Sequence, residues 1–180
     1  AANLLGKLGT SPSKLVAGIV AVTFVFSMVM SNTATAAMMF AVTAPLLAKM
    51  PAGDRFGRGL ILAVAAGANL GGIGTIIGTP PNAIAVGQLA GDQRIDFIHW
   101  MLIALPPALV MAVLAYAAIW WKWLRGEAAV DLGLELPPAP IGRQSRHRFL
   151  VMGVLFATVG LWMSESWLGI PSPVVSFIPI

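Results

Sequence analysis

The chain is 180 residues long, 58% hydrophobic and only 10% charged, with no cysteine and a mean hydropathy of +0.85. Soluble domains run at about 45–50% apolar and about 25% charged, so this composition describes an integral membrane polypeptide with several spans of ~20 residues each. It excludes disulfide frameworks, cysteine nucleophiles and thiolate metal sites, and the net charge of +4 is that of loops beside a lipid bilayer rather than of a nucleic-acid binder.

Residues 1–14, with Lys7 and Lys14, form an interfacial lead-in. Leu15 to Met30 carries no charge, Ser31-Asn32-Thr33 follows, and Ala34 to Ala48 is again uncharged. As one helix, 15–48 would be about 51 Å long, far more than a ~30 Å hydrocarbon core. Basic residues flank both ends. Two half-length arms meeting at a polar tip predict a re-entrant hairpin, which is tolerated where protein or a water-filled cavity surrounds the tip. Ser11-Pro12 supplies the start of the first arm, a capping hydroxyl followed by proline at the first helical position.

Residues 59–91 are also uncharged, about 50 Å if helical, and are interrupted by Gly78-Thr79-Pro80-Pro81-Asn82. Proline removes a backbone donor and pushes the residue before it out of the helical region, so a broken transmembrane helix is predicted. It leads to a loop carrying Asp92, Arg94 and Asp96. The helix over 97–121 returns to Lys122 and Arg125, with Trp120, Trp121 and Trp123 as an interfacial belt. A cytoplasmic linker over 122–148 contains Pro137, Pro138 and Pro140. A transmembrane helix over 149–163 leads outward to Glu165 and Trp167, and 174–180 begins a further helix. This topology puts ten basic residues inside and only Arg94 outside, the asymmetry expected of a multi-pass protein of the inner membrane. A start at Ala1 and an end at Ile180 within an apolar run point to a piece of a longer chain.

Polar groups deep in apolar sequence are costly unless satisfied, so the two breaks are the candidate sites. Ser27 and Ser31 are four apart on one helix face, with Asn32, Thr33 and Thr35 close behind. They offer neutral oxygens at the negative end of one half-helix, suited to a hard monovalent cation, beside the amide-rich start of the next, suited to an anion. The glycines and prolines of Gly71 to Asn82 repeat that logic. Gly67-x-x-x-Gly71 and Gly74-x-x-x-Gly78 also have the small-residue spacing of plain helix packing. No acidic residue lies between Leu15 and Pro51 or between Arg55 and Gly91, which favours sodium over a carboxylate proton relay. His99 and His147 have no partner at ligand spacing, so no metal other than sodium is expected. Gly72-x-Gly74 is followed by Ile77 where a dinucleotide fingerprint needs its third glycine.

Ser31-Asn32-Thr33-Ala34-Thr35, followed some forty residues later by GGIGTIIGTPPNAI from Gly71 to Ile84, resembles the divalent anion/sodium symporter family, the sodium-coupled carriers of di- and tricarboxylates and sulfate. The resemblance spans nearly the whole chain and corresponds to the first-repeat half. It implies an all-α integral membrane fold, with the re-entrant hairpin and broken transmembrane helix of an inverted-repeat, elevator-type transporter that assembles as a homodimer. Carried over by position, Ser27, Ser31, Asn32 and the Gly78 carbonyl make a sodium site. Asn32 and Thr33, with Thr79 and Pro80, face a substrate carboxylate. The second Ser-Asn-Thr hairpin is absent from these residues, and Phe40-Ala41-Val42 stands where the family often has an aliphatic residue and proline, Pro45 coming later, which shifts the expected bend of the second arm. The resulting expectation is sodium-coupled symport of divalent anions, C4-dicarboxylates such as succinate or malate. The alternatives are an anion exchanger or a sulfate or arsenite carrier of the same fold, and a non-transporting scaffold subunit whose breaks serve only packing. No enzymatic activity and no organic cofactor are expected.

Overall fold

The computed structural model describes residues 11–89 and 95–126, together with positions 153, 154, 157, 158, 160 and 161. Every regular element among them is helical: α1 (Pro12–Ser27), α2 (Asn32–Leu47), α3 (Arg55–Ile73), the short α4 (Pro80–Gly87) and α5 (Phe97–Ile119), which continues into π-helix over Trp120–Leu124. The lead-in before Ser11, the loop residues Asp92 and Arg94, the linker beyond Gly126 and the helices expected over 149–163 and 174–180 lie outside the described residues, apart from the six positions named.

α1 begins at the expected place, but the Ser11 hydroxyl makes no capping bond. The preset φ of Pro12 at the first position starts this helix. Leu15, Val16, Ile19, Val20, Thr23, Phe24 and Ser27 are buried in one stripe at three- and four-residue spacing, laid along α3. α3 is the centre of the bundle and touches α1, α2, α5 and the π-helix. Its Asp54 cap accepts the Gly57 amide at 2.8 Å. Gly67 and Gly71 form its contact with α1: an added Cβ would lie 2.8 Å from Thr23 Cβ at the first and 2.2 Å from the Phe24 carbonyl oxygen at the second. Close backbone approach through this small-residue pair is therefore a packing device.

The helices run up, down, up and down. At one end the Arg55 guanidinium donates to the Lys122 carbonyl (2.7 Å) and the Tyr116 hydroxyl to the Ser13 carbonyl (3.2 Å). The starts of α1 and α3 thus share an end with the finish of α5, and the Leu47 and Met50 side chains reach Gly57 there. Lys14, Lys49, Arg55, Arg58, Lys122 and Arg125 all belong to this end by position. At the other end the α1–α2 turn meets the break after α3, and Trp100 Nε1 donates to the Ile73 carbonyl at 3.1 Å.

Two boundaries differ from expectation. The second break begins at Gly74, not at the prolines, and Pro80 and Pro81 are the first residues of α4. Gly71, Gly72 and Gly74 weaken the end of α3, while proline at a first helical position starts a helix. α2 is continuous through Pro45, so the late proline leaves the second arm unbroken.

α3 and the α5–π stretch (Phe97–Leu124) are long and apolar enough to cross a membrane. α1 and α2, apolar and 16 residues each, reach only about 24 Å. On α5, Leu102, Ile103 and Val113 are 68%, 64% and 65% exposed. A contiguous apolar surface of this kind belongs against lipid or another apolar protein face.

Candidate cation and anion site

Ser27, the last residue of α1, is completely buried. Its Oγ lies 2.5 Å from the Ala68 carbonyl oxygen and 2.9 Å from Asn32 Oδ1. A hydroxyl has one proton, so one of these two close oxygen pairs has no proton between its members. Three neutral oxygens with a proton deficit, at the negative end of a half-helix, form a cluster that a hard monovalent cation would stabilise. Asn32 Oδ1 has space because position 72 is glycine: an added Cβ there would come within 2.1 Å of it. Ser31 caps α2, accepting the Ala34 amide on its Oγ at 3.3 Å. Its hydroxyl is thus engaged with the helix start rather than with Ser27. Thr33 is exposed in the first turn of α2, and Thr35, one turn on, is fully buried with its Oγ1 unpartnered.

The second break is tied to the first by side chains. The Thr75 hydroxyl donates to the Met28 carbonyl and accepts the Gly78 amide at 3.0 Å. Asn82 Nδ2 donates to the carbonyls of Gly72 (2.9 Å) and Thr75 (2.8 Å), satisfying acceptors that the interrupted helix leaves over. Gly78 packs on Gly72, with room for no side chain: an added Cβ would lie 2.5 Å from the Gly72 carbonyl oxygen. Ser27, Asn32, Gly72 and Gly78 are therefore contiguous. Thr79, extended at φ −151° and ψ 143°, precedes α4 without a side-chain capping bond, and Pro80 is exposed at its first position. Asn32 and Thr33 open α2 as Thr79 and Pro80 open α4, so both pairs sit at half-helix starts.

Four participants went unrecognised in the sequence as site members: the Ala68 carbonyl, Thr75, Asn82 and Trp100. Thr75 and Asn82 stood within the glycine–proline cluster, but their partners do not follow from spacing. Replacing Thr75 with valine leaves the Met28 carbonyl and the Gly78 amide without their hydroxyl partner. It is expected to destabilise the protein by about 1–3 kcal/mol, measured as a lowered thermal midpoint, whereas Thr75→Ser retains the midpoint.

A sequence profile of the citrate transporter family matches residues 1–178. The chain belongs to the citrate transporter family. It is 27% identical over 184 residues to the sodium-dependent dicarboxylate transporter SdcS of Staphylococcus saprophyticus, an alignment covering 93% of this chain and 36% of that protein. It is 29% identical over 137 residues to the SdcS of Staphylococcus aureus, covering 69% of this chain and 25% of that protein. The chain thus spans about a third or less of the length of these relatives. That family is one of transporters, in agreement with the resemblance carried by Ser31-Asn32-Thr33 and GTPPN.

Proposed function

We propose that this citrate transporter family chain supplies one cation site and one half of the anion site of a sodium-coupled symporter of divalent anions, with C4-dicarboxylates such as succinate or malate as substrates. The observation that carries this reading is the proton-deficient oxygen cluster of Ser27, Asn32 and Ala68, set beside two half-helix starts. Sodium would be held by Ser27 Oγ, Asn32 Oδ1 and backbone oxygens at Ser31 and Gly78, and the Ala68 carbonyl joins this set. A substrate carboxylate would face Asn32, Thr33, Thr79 and Pro80, where α2 opens with free amides and the Thr79 hydroxyl makes no capping bond to α4. With no ionised side chain on residues 59–89, the anion's charge is balanced by the cation and by backbone dipoles. Binding of one therefore favours binding of the other, which is the basis of coupling.

In this reading α1 and α2 form a re-entrant hairpin and α3–α4 a broken crossing, with the basic end of the bundle in the cytoplasm. The apolar face of α5 meets lipid or the remainder of a homodimeric, elevator-type assembly in the inner membrane. The SdcS relatives are named for sodium-dependent dicarboxylate transport, which supports the substrate class.

The test is succinate uptake into proteoliposomes by the full-length protein. Uptake is expected with a sodium gradient and not when choline replaces sodium. Equal uptake in both buffers would overturn the coupling.

A further inference from the structure

The cation cluster depends on Asn32 presenting oxygen, not nitrogen, to Ser27, and the two ends of an amide are nearly the same shape. Which end faces Ser27 is decided by the hydrogen bonds at the other end. Those bonds lead to Asn69 and no further than one more carbonyl. The Ala65 carbonyl can only accept, so the Asn69 atom 3.0 Å from it is the donating Nδ2. Asn69 Oδ1 is thereby turned toward Asn32, at 3.3 Å, and the Asn32 atom facing it is Nδ2. Asn32 Oδ1 is left pointing at Ser27, 2.9 Å away. The Ala65 carbonyl anchors the relay on α3, the element that also carries the Ala68 carbonyl and Gly72, so one rigid helix sets both the orientation of Asn32 and the space it occupies.

We propose that Asn69 is a positioning residue for cation binding: it does not touch the ion, but locks the Asn32 amide with its oxygen toward Ser27 and the Ala68 carbonyl. Without Asn69 the Asn32 amide is free to turn its Nδ2 to Ser27. That rotation supplies the missing proton to the cluster and removes a ligand oxygen in the same movement. Asn69 thus holds the cluster in the proton-deficient state that favours a cation. This inference rests on the sodium-coupled reading of the site.

The test uses the full-length protein in proteoliposomes, with the half-saturating sodium concentration and the maximal uptake rate measured separately. Asn69→Leu keeps a similar branched shape and loses the relay. It is expected to raise the half-saturating sodium concentration roughly three- to tenfold, the worth of one hydrogen bond, with the maximal rate at saturating sodium within about twofold of wild type. Asn69→Ala carries the same expectation should the leucine variant not be recovered folded. A merely structural role would leave sodium affinity unmoved by leucine. An unchanged value in Asn69→Leu and Asn69→Ala, in a wild type that is itself sodium-dependent, would overturn the positioning role alone. A wild type indifferent to sodium would overturn the coupled reading and this inference with it.

Discussion

Gly71→Ala is expected to separate α1 from α3 and to be the most damaging single-methyl change in the described part of the bundle. The added Cβ would sit 2.2 Å from the Phe24 carbonyl oxygen and 2.8 Å from the Phe24 carbonyl carbon and Cα. All three are backbone atoms, so no side-chain rotation relieves the overlap, and α1 must retreat by about an ångström to restore contact distance. Overpacking of this kind costs about 1–3 kcal/mol. Here the displaced helix also carries the Ser27 bond to the Ala68 carbonyl and the Met28 carbonyl that Thr75 holds. Stability and cation binding are therefore expected to fall together, read as a lower thermal midpoint of the full-length protein in detergent and loss of its sodium response. Gly87→Ala is the control: nothing lies within 4 Å of its added Cβ, and on a helix the change is neutral or mildly stabilising. Equal midpoints for the Gly71 and Gly87 variants would refute the packing role.

Asn32→Ala is expected to abolish uptake at working sodium concentrations while leaving expression and assembly intact. The asparagine is half-buried at the start of α2, and its removal opens space rather than filling it. On the proposed reading, what is lost is one oxygen of the cation cluster and the amide that would face the anion. Hydrogen bonds or ligand contacts to a charged partner are worth about 1.5–3 kcal/mol, which corresponds to a rise in half-saturating sodium of roughly tenfold to hundredfold. Gly72→Ala acts on the same atom from the opposite side, because its Cβ would occupy the position of Asn32 Oδ1 to within 2.1 Å. Both variants are expected to bind sodium weakly and to reach the membrane normally. Wild-type sodium affinity in Asn32→Ala would remove Asn32 from the site.

Much of this arrangement was legible in the sequence because polar residues in apolar stretches are conspicuous. Ser27 and Asn32 stood out on that ground and prove to be neighbours, with Ser27 Oγ 2.9 Å from Asn32 Oδ1. Gly67 and Gly71 stood out by spacing, and their close approach to Thr23 and Phe24 gives them a packing role. The end of α3 was misjudged because prolines look like breakers wherever they fall. At Pro80 and Pro81 they open α4, and it is the glycines upstream that let α3 stop at Ile73. Asn69 was not legible. A single amide in a helix has no periodic signature, and its partner Asn32 is 37 positions away on another helix. The Ala68 carbonyl could not have been found from sequence at all, since its part is played by backbone and depends on how α1 lies against α3.

The most direct test of the central claim, that the two breaks meet in a cation site of neutral oxygens, is a thermal-shift titration of the full-length protein with sodium at constant ionic strength. Sodium is expected to raise the midpoint while potassium and choline do not, and Ser27→Ala and Asn32→Ala are each expected to remove the rise. A rise of equal size with all three cations, or one that survives in both variants, would contradict the account.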